Sequence, residues 1–296
     1  MASVDTSIPE HATGAAAGLI SQHSAEPAVT LYGSWFCPFV QRVWIILEEK
    51  KIPYQYVEIN PYRKDPSFLA INPRGLVPAL AVPPDDHGNP RKPLYDSTVI
   101  AEYLDEAFAD TTTNTTTEYG AATAAAAAAP RFLPADDPYE RARCRLWIDH
   151  INTRIVPAFY KFLQQDPSDA SALAEARAHF LEQLRLLVRE MDDTLPYFLG
   201  EEFSLVDAML APWAVRLFLL DHYKPGGVGV PAPEHGGENE QDWVRWRVWF
   251  DAVHERRSVR GTMSDAAAYV EVYKRYADNT THSLVGQATR MGGRMP

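Results

Sequence analysis

The sequence predicts an α/β domain in the first part of the chain and an all-α domain after it. Two observations carry that prediction. Between Val29 and Phe108, short apolar or aromatic runs alternate with segments of helical periodicity. Beyond Pro138 only helical periodicity remains. A low-complexity stretch, Thr111 to Ala129, separates the two regions with a threonine cluster and a run of alanines. The expected layout is a disordered tail over 1–27, an α/β domain over 28–109, a linker or insertion over 110–135 and a helical domain over 136–296.

The elements follow in order. Val29–Tyr32 is a strand, and Pro38–Lys50 is a helix with proline in its first turn, where a missing N–H costs nothing. Tyr54–Ile59 is a second strand, closed by Pro61. A short helix over Pro66–Ile71 leads through Asn72-Pro73-Arg74-Gly75 to an apolar strand, Val77–Val82. The turn-rich stretch Pro83 to Pro93 precedes a short strand at Leu94-Tyr95. Asp96-Ser97-Thr98 then caps a helix over Val99–Phe108. A βαβ unit followed by a ββα unit in this compass is the order of a thioredoxin-like domain with a four-stranded mixed sheet. In the second region helices are expected over Arg141–Ile151, Ala172–Leu195, Ala208–Leu220, Asp242–Glu255 and Asp265–Ala277. Ser204-Leu205-Val206-Asp207 reads as a capping box for the third of these, and Pro225 to Gly237 reads as an exposed loop.

Composition narrows the function classes. Apolar residues make up 46% of the chain, enough to fill real cores. The net charge is −11 and the basic residues are scattered, so no nucleic-acid footprint is expected. Two cysteines, Cys37 and Cys144, make no disulfide framework, which fits a reducing compartment. The most apolar stretch, Leu205 to Leu220, is broken by Asp207, Pro212 and Arg216, so no stable membrane span is expected. No basic residue opens the first 27 to start a signal peptide, and the expected location is cytoplasmic. No His or Cys spacing suggests a metal site.

The most informative stretch is Trp35-Phe36-Cys37-Pro38-Phe39-Val40-Gln41-Arg42. Here a strand hands over to a helix, and Cys37 stands at the positive end of the helix dipole, beside unpaired N–H groups. Such a position favours the thiolate, which is the nucleophilic form. Val40 stands where a Cys-x-x-Cys pair would have its second thiol, so redox work at Cys37 needs a thiol from elsewhere.

Cys37-Pro38-Phe39, Asn72-Pro73-Arg74-Gly75-Leu76-Val77-Pro78, Asp96-Ser97 and the Ser204–Asp207 cap occur in the order found in cytosolic glutathione transferases. The Cys-Pro-Phe start resembles the omega class, and Val40-Gln41-Arg42-Val43-Trp44 is similar to its fungal members. The resemblance covers the chain from about Val29 onward, apart from the Thr/Ala stretch, and implies glutathione as co-substrate and a homodimer. Val77 and Pro78, at a cis peptide in similar proteins, would pair with the cysteinyl part of an extended peptide; the plain alternative is a turn. Ser97 would hold the γ-glutamyl carboxylate and Asp96 the ammonium, unless both merely cap the helix. Lys64 matches the lysine that lies near the glycyl carboxylate in the omega class; otherwise it is solvated. Phe39 would flank the thiol or belong to the core. By the same resemblance Arg216 and Trp249, with Tyr160 as a further candidate, would line a second-substrate pocket between the domains, the alternative being ordinary packing. Cys144 is expected to be an incidental helix residue.

Two hydroxyls, Tyr32 and Ser34, rival Cys37 for control of the bound thiolate, and that would give conjugation to electrophiles. A cysteine in this place predicts thiol exchange instead, because two facing thiols tend toward a mixed disulfide. The expected activity is a glutathione-dependent thiol transferase or deglutathionylating reductase, with dehydroascorbate reduction by the same logic, acting on a disulfide, electrophilic or small hydrophobic substrate. The alternative is a glutathione-dependent binding protein for aromatic or phenolic compounds, motivated by the Trp and Tyr content after residue 138. A chloride-channel-like relative shares the Cys-Pro-Phe start, but the broken apolar segments disfavour it.

Overall fold

The computed structural model describes residues 8–25, 29–85, 87–109, 131–293 and 295. The chain divides into two compact units: Met1–Leu133 with Arg257–Ala268, and Pro134–Arg256 with Tyr269–Pro296.

The first unit is built on a four-stranded mixed sheet in the order β2-β1-β3-β4, formed by β1 (Thr30–Gly33), β2 (Gln55–Glu58), β3 (Ala79–Ala81) and β4 (Leu94–Tyr95). β1 runs parallel to β2 and antiparallel to β3, and β3 runs antiparallel to β4. β1 is shifted by one residue from the run that predicts it, β4 matches its run, and β2 and β3 are two and three residues shorter than theirs. Helix α1 (Gly14–Gln22) precedes the sheet, α2 (Pro38–Glu49) connects β1 to β2, α3 (Pro66–Ile71) follows β2, and α4 (Ser97–Ala107) follows β4. α2 and α4 lie side by side. Val40, Val43, Ile46 and Leu47 of α2 and Ile100 and Leu104 of α4 have no exposed surface, and each such side chain contributes about 1.5–3 kcal/mol of burial. The end of α2 is tied to α4 by Lys50, whose Nζ lies 3.0 Å from Asp105 Oδ1 with both side chains inaccessible to water. Asp105 also accepts the backbone N–H groups of Phe132 (2.9 Å) and Leu133 (3.0 Å).

The expectation of a disordered tail over 1–27 is corrected for residues 8–25. α1 buries Ala16, and its N-cap residue Thr13 exchanges hydrogen bonds with Ser264 (3.1 Å) and Asp265 (2.9 Å). Trp35 Nε1 donates to Pro9 O at 3.0 Å, and the His23 ring stacks on Tyr54 at 3.9 Å. This small alanine-rich helix has little apolar bulk of its own. Its anchors are supplied by α11 (Arg257–Gly261) and the residues after it, some 250 positions later in the chain. The domain boundary is corrected for the same reason, because Arg257–Ala268 belongs to the first unit. Of the predicted linker 110–135, residues 110–130 lie outside the described residues, whereas Phe132 and Leu133 are buried.

The described part of the second unit is helical. α5 (Pro138–His150) passes through a π-helical turn, Ile151–Ile155, into α6 (Val156–Gln164). Pro157 stands at the start of α6 and has no N–H for the carbonyl one turn back, a recognised cause of such a slip in the ladder. α7 (Ala170–Val188), α8 (Leu205–Ala214), α9 (Phe218–Tyr223), α10 (Glu240–Glu255), α12 (Ala266–Ala277, which crosses the boundary at Ala268) and α13 (Leu284–Met291) complete it. The capping box at α8 forms as expected: Ser204 N donates to Asp207 Oδ2 at 2.8 Å, and the Asp207 N–H returns to Ser204 Oγ. Such a cap contributes about 1 kcal/mol.

Candidate active site

The site grows out of the turn between β1 and α2. Gly33 ends the strand where a Cβ would lie 2.5 Å from Val40 Cγ1, so only glycine lets the helix approach. Three bonds from the end of β2 fix the turn. Ile59 N donates to Gly33 O (2.6 Å), Ser34 Oγ donates to Ile59 O, and Trp35 N donates to Glu58 Oε1 (3.2 Å). Cys37 then takes the N-cap of α2 with extended backbone (φ −77°, ψ 119°), its N–H bonded to Ser34 O at 2.9 Å, and Pro38 enters the first turn. Cys37 is partly exposed. Cys144 is fully buried, and desolvation pushes its thiol up to about 12.

The two hydroxyl rivals are poorly suited to hold a thiolate. Ser34 has no exposed surface and its hydroxyl is spent on Ile59 O. Tyr32 packs with Ile59, Phe68 and Ala79, and burial raises its phenol above the ordinary value, which makes it a poorer acid.

Sheet register carries the other pieces to the same edge. Tyr32 pairs with Ala79, and Ala79 pairs with Tyr95. Continuing those ladders by one residue sets Pro78 opposite Gly33 and Asp96. The end of β1, the start of β3 and the end of β4 therefore lie together, bringing Val77 and Pro78 between the Cys37 turn and Asp96-Ser97. The Val77–Pro78 peptide is cis. Buried Asn72 shapes the approach to it: its Nδ2 donates to Leu76 O (2.9 Å) and its Oδ1 accepts from Arg74 N (3.1 Å). Gly75 has φ +62°, and a Cβ there would fall 2.7 Å from Lys64 Cδ and 2.9 Å from its Nζ. The partly buried Lys64 side chain thus lies across the loop that leads to Val77.

Asp96 sits in the left-handed region (φ 75°) and caps α4, accepting from Thr98 N (2.9 Å) and Val99 N (3.3 Å). Capping therefore already engages its carboxylate. Ser97 opens the helix and is buried, with its Oγ accepting from Arg42 Nη1 at 3.2 Å. The Arg42 guanidinium lies 5.4 Å from the centre of the partly exposed Phe39 ring. Cys37, Phe39, Val77, Pro78, Asp96 and Ser97 are so gathered in the first unit.

The three residues predicted for a second-substrate pocket lie in the second unit. Trp249 has no exposed surface, and its Nε1 donates to Asp207 Oδ1 at 2.6 Å. Arg216 is 1% exposed and is held by Pro212 O (2.6 Å) and the Tyr269 hydroxyl and ring (3.3 and 4.6 Å). Tyr160 is 2% exposed, between Phe159 and Tyr276. All three are buried within the second unit. Trp213, Trp243 and Trp246 are buried as well, so the aromatic content that motivated a binding-protein reading goes largely into packing. Sequence reasoning missed Arg42 and Glu58 as parts of the site. A signal existed for each, a charged residue in the apolar register of α2 and of β2. No group of three or more His, Cys, Asp or Glu suited to a metal occurs among the described residues, and none of their helices is long and apolar enough to cross a membrane.

Comparison with known proteins agrees with this construction. Residues 31–112 match the family described as glutathione S-transferase, N-terminal domain, and residues 170–252 match its C-terminal domain. The probable glutathione S-transferase parC of Nicotiana tabacum is 31% identical over 84% of this chain and 96% of its own length. Glutathione S-transferase omega-1 of Sus scrofa is 29% identical over 71% of this chain and 78% of its own. The crystal structure of glutathione transferase Omega 3C from Trametes versicolor covers 92% of this chain and 100% of its own, with TM-score 0.70 and 39% identity. The chain belongs to the glutathione S-transferase family, and omega-class proteins stand among its relatives.

Proposed function

We propose that the protein is a glutathione-dependent thiol transferase that works through a mixed disulfide on Cys37. One observation carries the reading: a partly exposed cysteine occupies the N-cap of α2 while the Ser34 hydroxyl is bonded to Ile59 O and the Tyr32 phenol is made a poorer acid by burial. The Cys37 thiolate attacks the glutathionyl sulfur of a mixed disulfide. The disulfide breaks, its other sulfur leaves as a thiolate that takes a proton from water, and Cys37 carries glutathione. The thiolate of a second glutathione attacks that sulfur, releasing oxidised glutathione and the Cys37 thiolate. Dehydroascorbate, reduced by two electrons as two glutathiones are oxidised, is a further substrate of the same cycle.

In this reading Val77 and Pro78 meet the cysteinyl part of glutathione, Ser97 the γ-glutamyl carboxylate, Asp96 the ammonium, Lys64 the glycyl carboxylate, and Phe39 flanks the sulfur. The protein acts in the cytoplasm as a homodimer, for which light scattering should give twice the 33.2 kDa of one chain. The test of the chemistry is Cys37→Ser. Thiol-transferase activity should be lost, and full activity in the variant would overturn the mechanism.

A further inference from the structure

We propose that Arg42 is a positioning and specificity-determining residue: it fixes the Ser97 hydroxyl as a donor and so makes the site select thiols that carry a γ-glutamyl carboxylate. The proposal rests on the reading that glutathione is the thiol substrate. It starts from an anomaly of burial. Arg42 is 1% exposed, and a guanidinium taken out of water is retained only where its geometry is satisfied. Its Nη1 donates to Ser97 Oγ at 3.2 Å, 55 residues away in sequence, and its plane lies by the Phe39 ring at 5.4 Å.

Hydrogen-bond chemistry gives that contact a direction. A guanidinium has five donors and no acceptor, so the Ser97 oxygen is the acceptor. The hydroxyl proton of Ser97 is thereby directed away from Arg42, toward a group that accepts. The adjoining N–H groups of Thr98 and Val99 are taken by Asp96. What remains at the start of α4 is the Ser97 N–H, which has no partner inside the helix, and the Ser97 hydroxyl proton. Behind both stands a buried positive charge. This set matches a carboxylate, which accepts at both oxygens. A neutral thiol or an ammonium does not fit it.

Arg42 also lies on α2, the helix that begins at Cys37. The residue that prepares the carboxylate site is therefore rigidly joined to the residue that carries the sulfur chemistry. A γ-glutamyl thiol satisfies both ends, whereas cysteinylglycine, which lacks the γ-glutamyl group, satisfies only one. Lysine would keep the charge at position 42 but not the planar contact with Phe39 together with an aimed donor.

The experiment compares glutathione with cysteinylglycine as the reducing thiol for the intact wild type, Arg42→Met, Arg42→Lys, Ser97→Ala and the Arg42→Met/Ser97→Ala double variant. The readout is the ratio of kcat/KM for the two thiols, with the rate of Cys37 alkylation by iodoacetamide reporting the state of the turn. Arg42→Met should lower the glutathione preference about tenfold, mainly through KM, as befits a hydrogen bond to a charged ligand. The double variant should be no worse than Ser97→Ala, because both losses pass through one hydroxyl. Arg42→Lys should recover about half of the loss on a logarithmic scale. The proposal is overturned if Arg42→Met slows both thiols equally, or if its effect adds in full to that of Ser97→Ala. Should Arg42→Met fail to fold, wild-type preference in a folded Arg42→Lys together with a lowered one in Ser97→Ala overturns it. A wild type that does not prefer glutathione would count against the thiol-transferase reading itself, a different outcome from any of these.

Discussion

Glu58 offers a direct test of how the turn beneath Cys37 is built. Its Oε1 accepts the Trp35 N–H at 3.2 Å, and the Tyr56 hydroxyl lies by the same carboxyl. Burial pushes the carboxyl up to about 8, against the smaller opposing effects of the Trp35 N–H and the Tyr56 hydroxyl. The folded pKa therefore exceeds the unfolded one. Between pH 4.5 and about 8 the unfolded chain releases a proton that the folded chain keeps, so this group lowers stability as pH rises through that window and adds no further slope above it. The span of about 3.5 pH units, at about 1.36 kcal/mol each, sets a ceiling near 5 kcal/mol. Because part of the residue keeps contact with water, about 2 kcal/mol is expected. Glu58→Gln retains the acceptor for Trp35 and cannot ionise. Relative to wild type it should gain stability progressively from pH 5 to pH 9, reaching roughly 4 °C in thermal midpoint at the alkaline end. A stability difference that stays constant between pH 5 and pH 9 would refute the reasoning.

Two further predictions concern the framework. Lys50→Met takes the fully buried cation from Asp105 and leaves it only the longer contact with Arg131 Nε at 3.7 Å, so it should cost about 3 kcal/mol in urea unfolding; a cost below about 1 kcal/mol, the scale of a surface pair, would show that the pair is hydrated. Trp249→Phe removes the indole bond to the buried Asp207 carboxyl and should cost about 1–3 kcal/mol while leaving the KM for glutathione and for the second substrate unchanged. A shift in the second-substrate KM without loss of stability would return Trp249 to a pocket role.

What could be read in advance was local in the chain. The β1–turn–α2 connection was legible because Gly33, Cys37 and Pro38 each answer to a backbone requirement within a few residues. The Asp96 cap and the Ser204–Asp207 box close over two and three positions, and their geometry follows from residue type. The course of residues 8–25 was not legible, because the partners of Thr13 are 251 and 252 residues away. Helical periodicity correctly placed Trp249 on a helix, whereas Arg216 stands in the turn that breaks the predicted helix Ala208–Leu220 into α8 and α9, and periodicity cannot say what covers a face. Tyr269 and Asp207 consume those two side chains through contacts that sequence does not announce. Arg42 illustrates the same limit within the site, since its role depends on Ser97 and appears only when α2 and α4 pack side by side. The choice of Cys37 over Tyr32 and Ser34 rested on chemistry, and the engaged hydroxyl of Ser34 and the raised pKa of Tyr32 give it a second footing.

The central claim is that Cys37 forms the disulfide intermediate and that Cys144 takes no part. Intact-mass spectrometry of the full chain after incubation with oxidised glutathione, followed by peptide mapping, measures this directly. The account predicts one glutathione adduct, on Cys37, reversed by reduced glutathione, with Cys144 unmodified because its thiol is buried and pushed up to about 12. An unmodified Cys37, or an adduct carried by Cys144 instead, would contradict it.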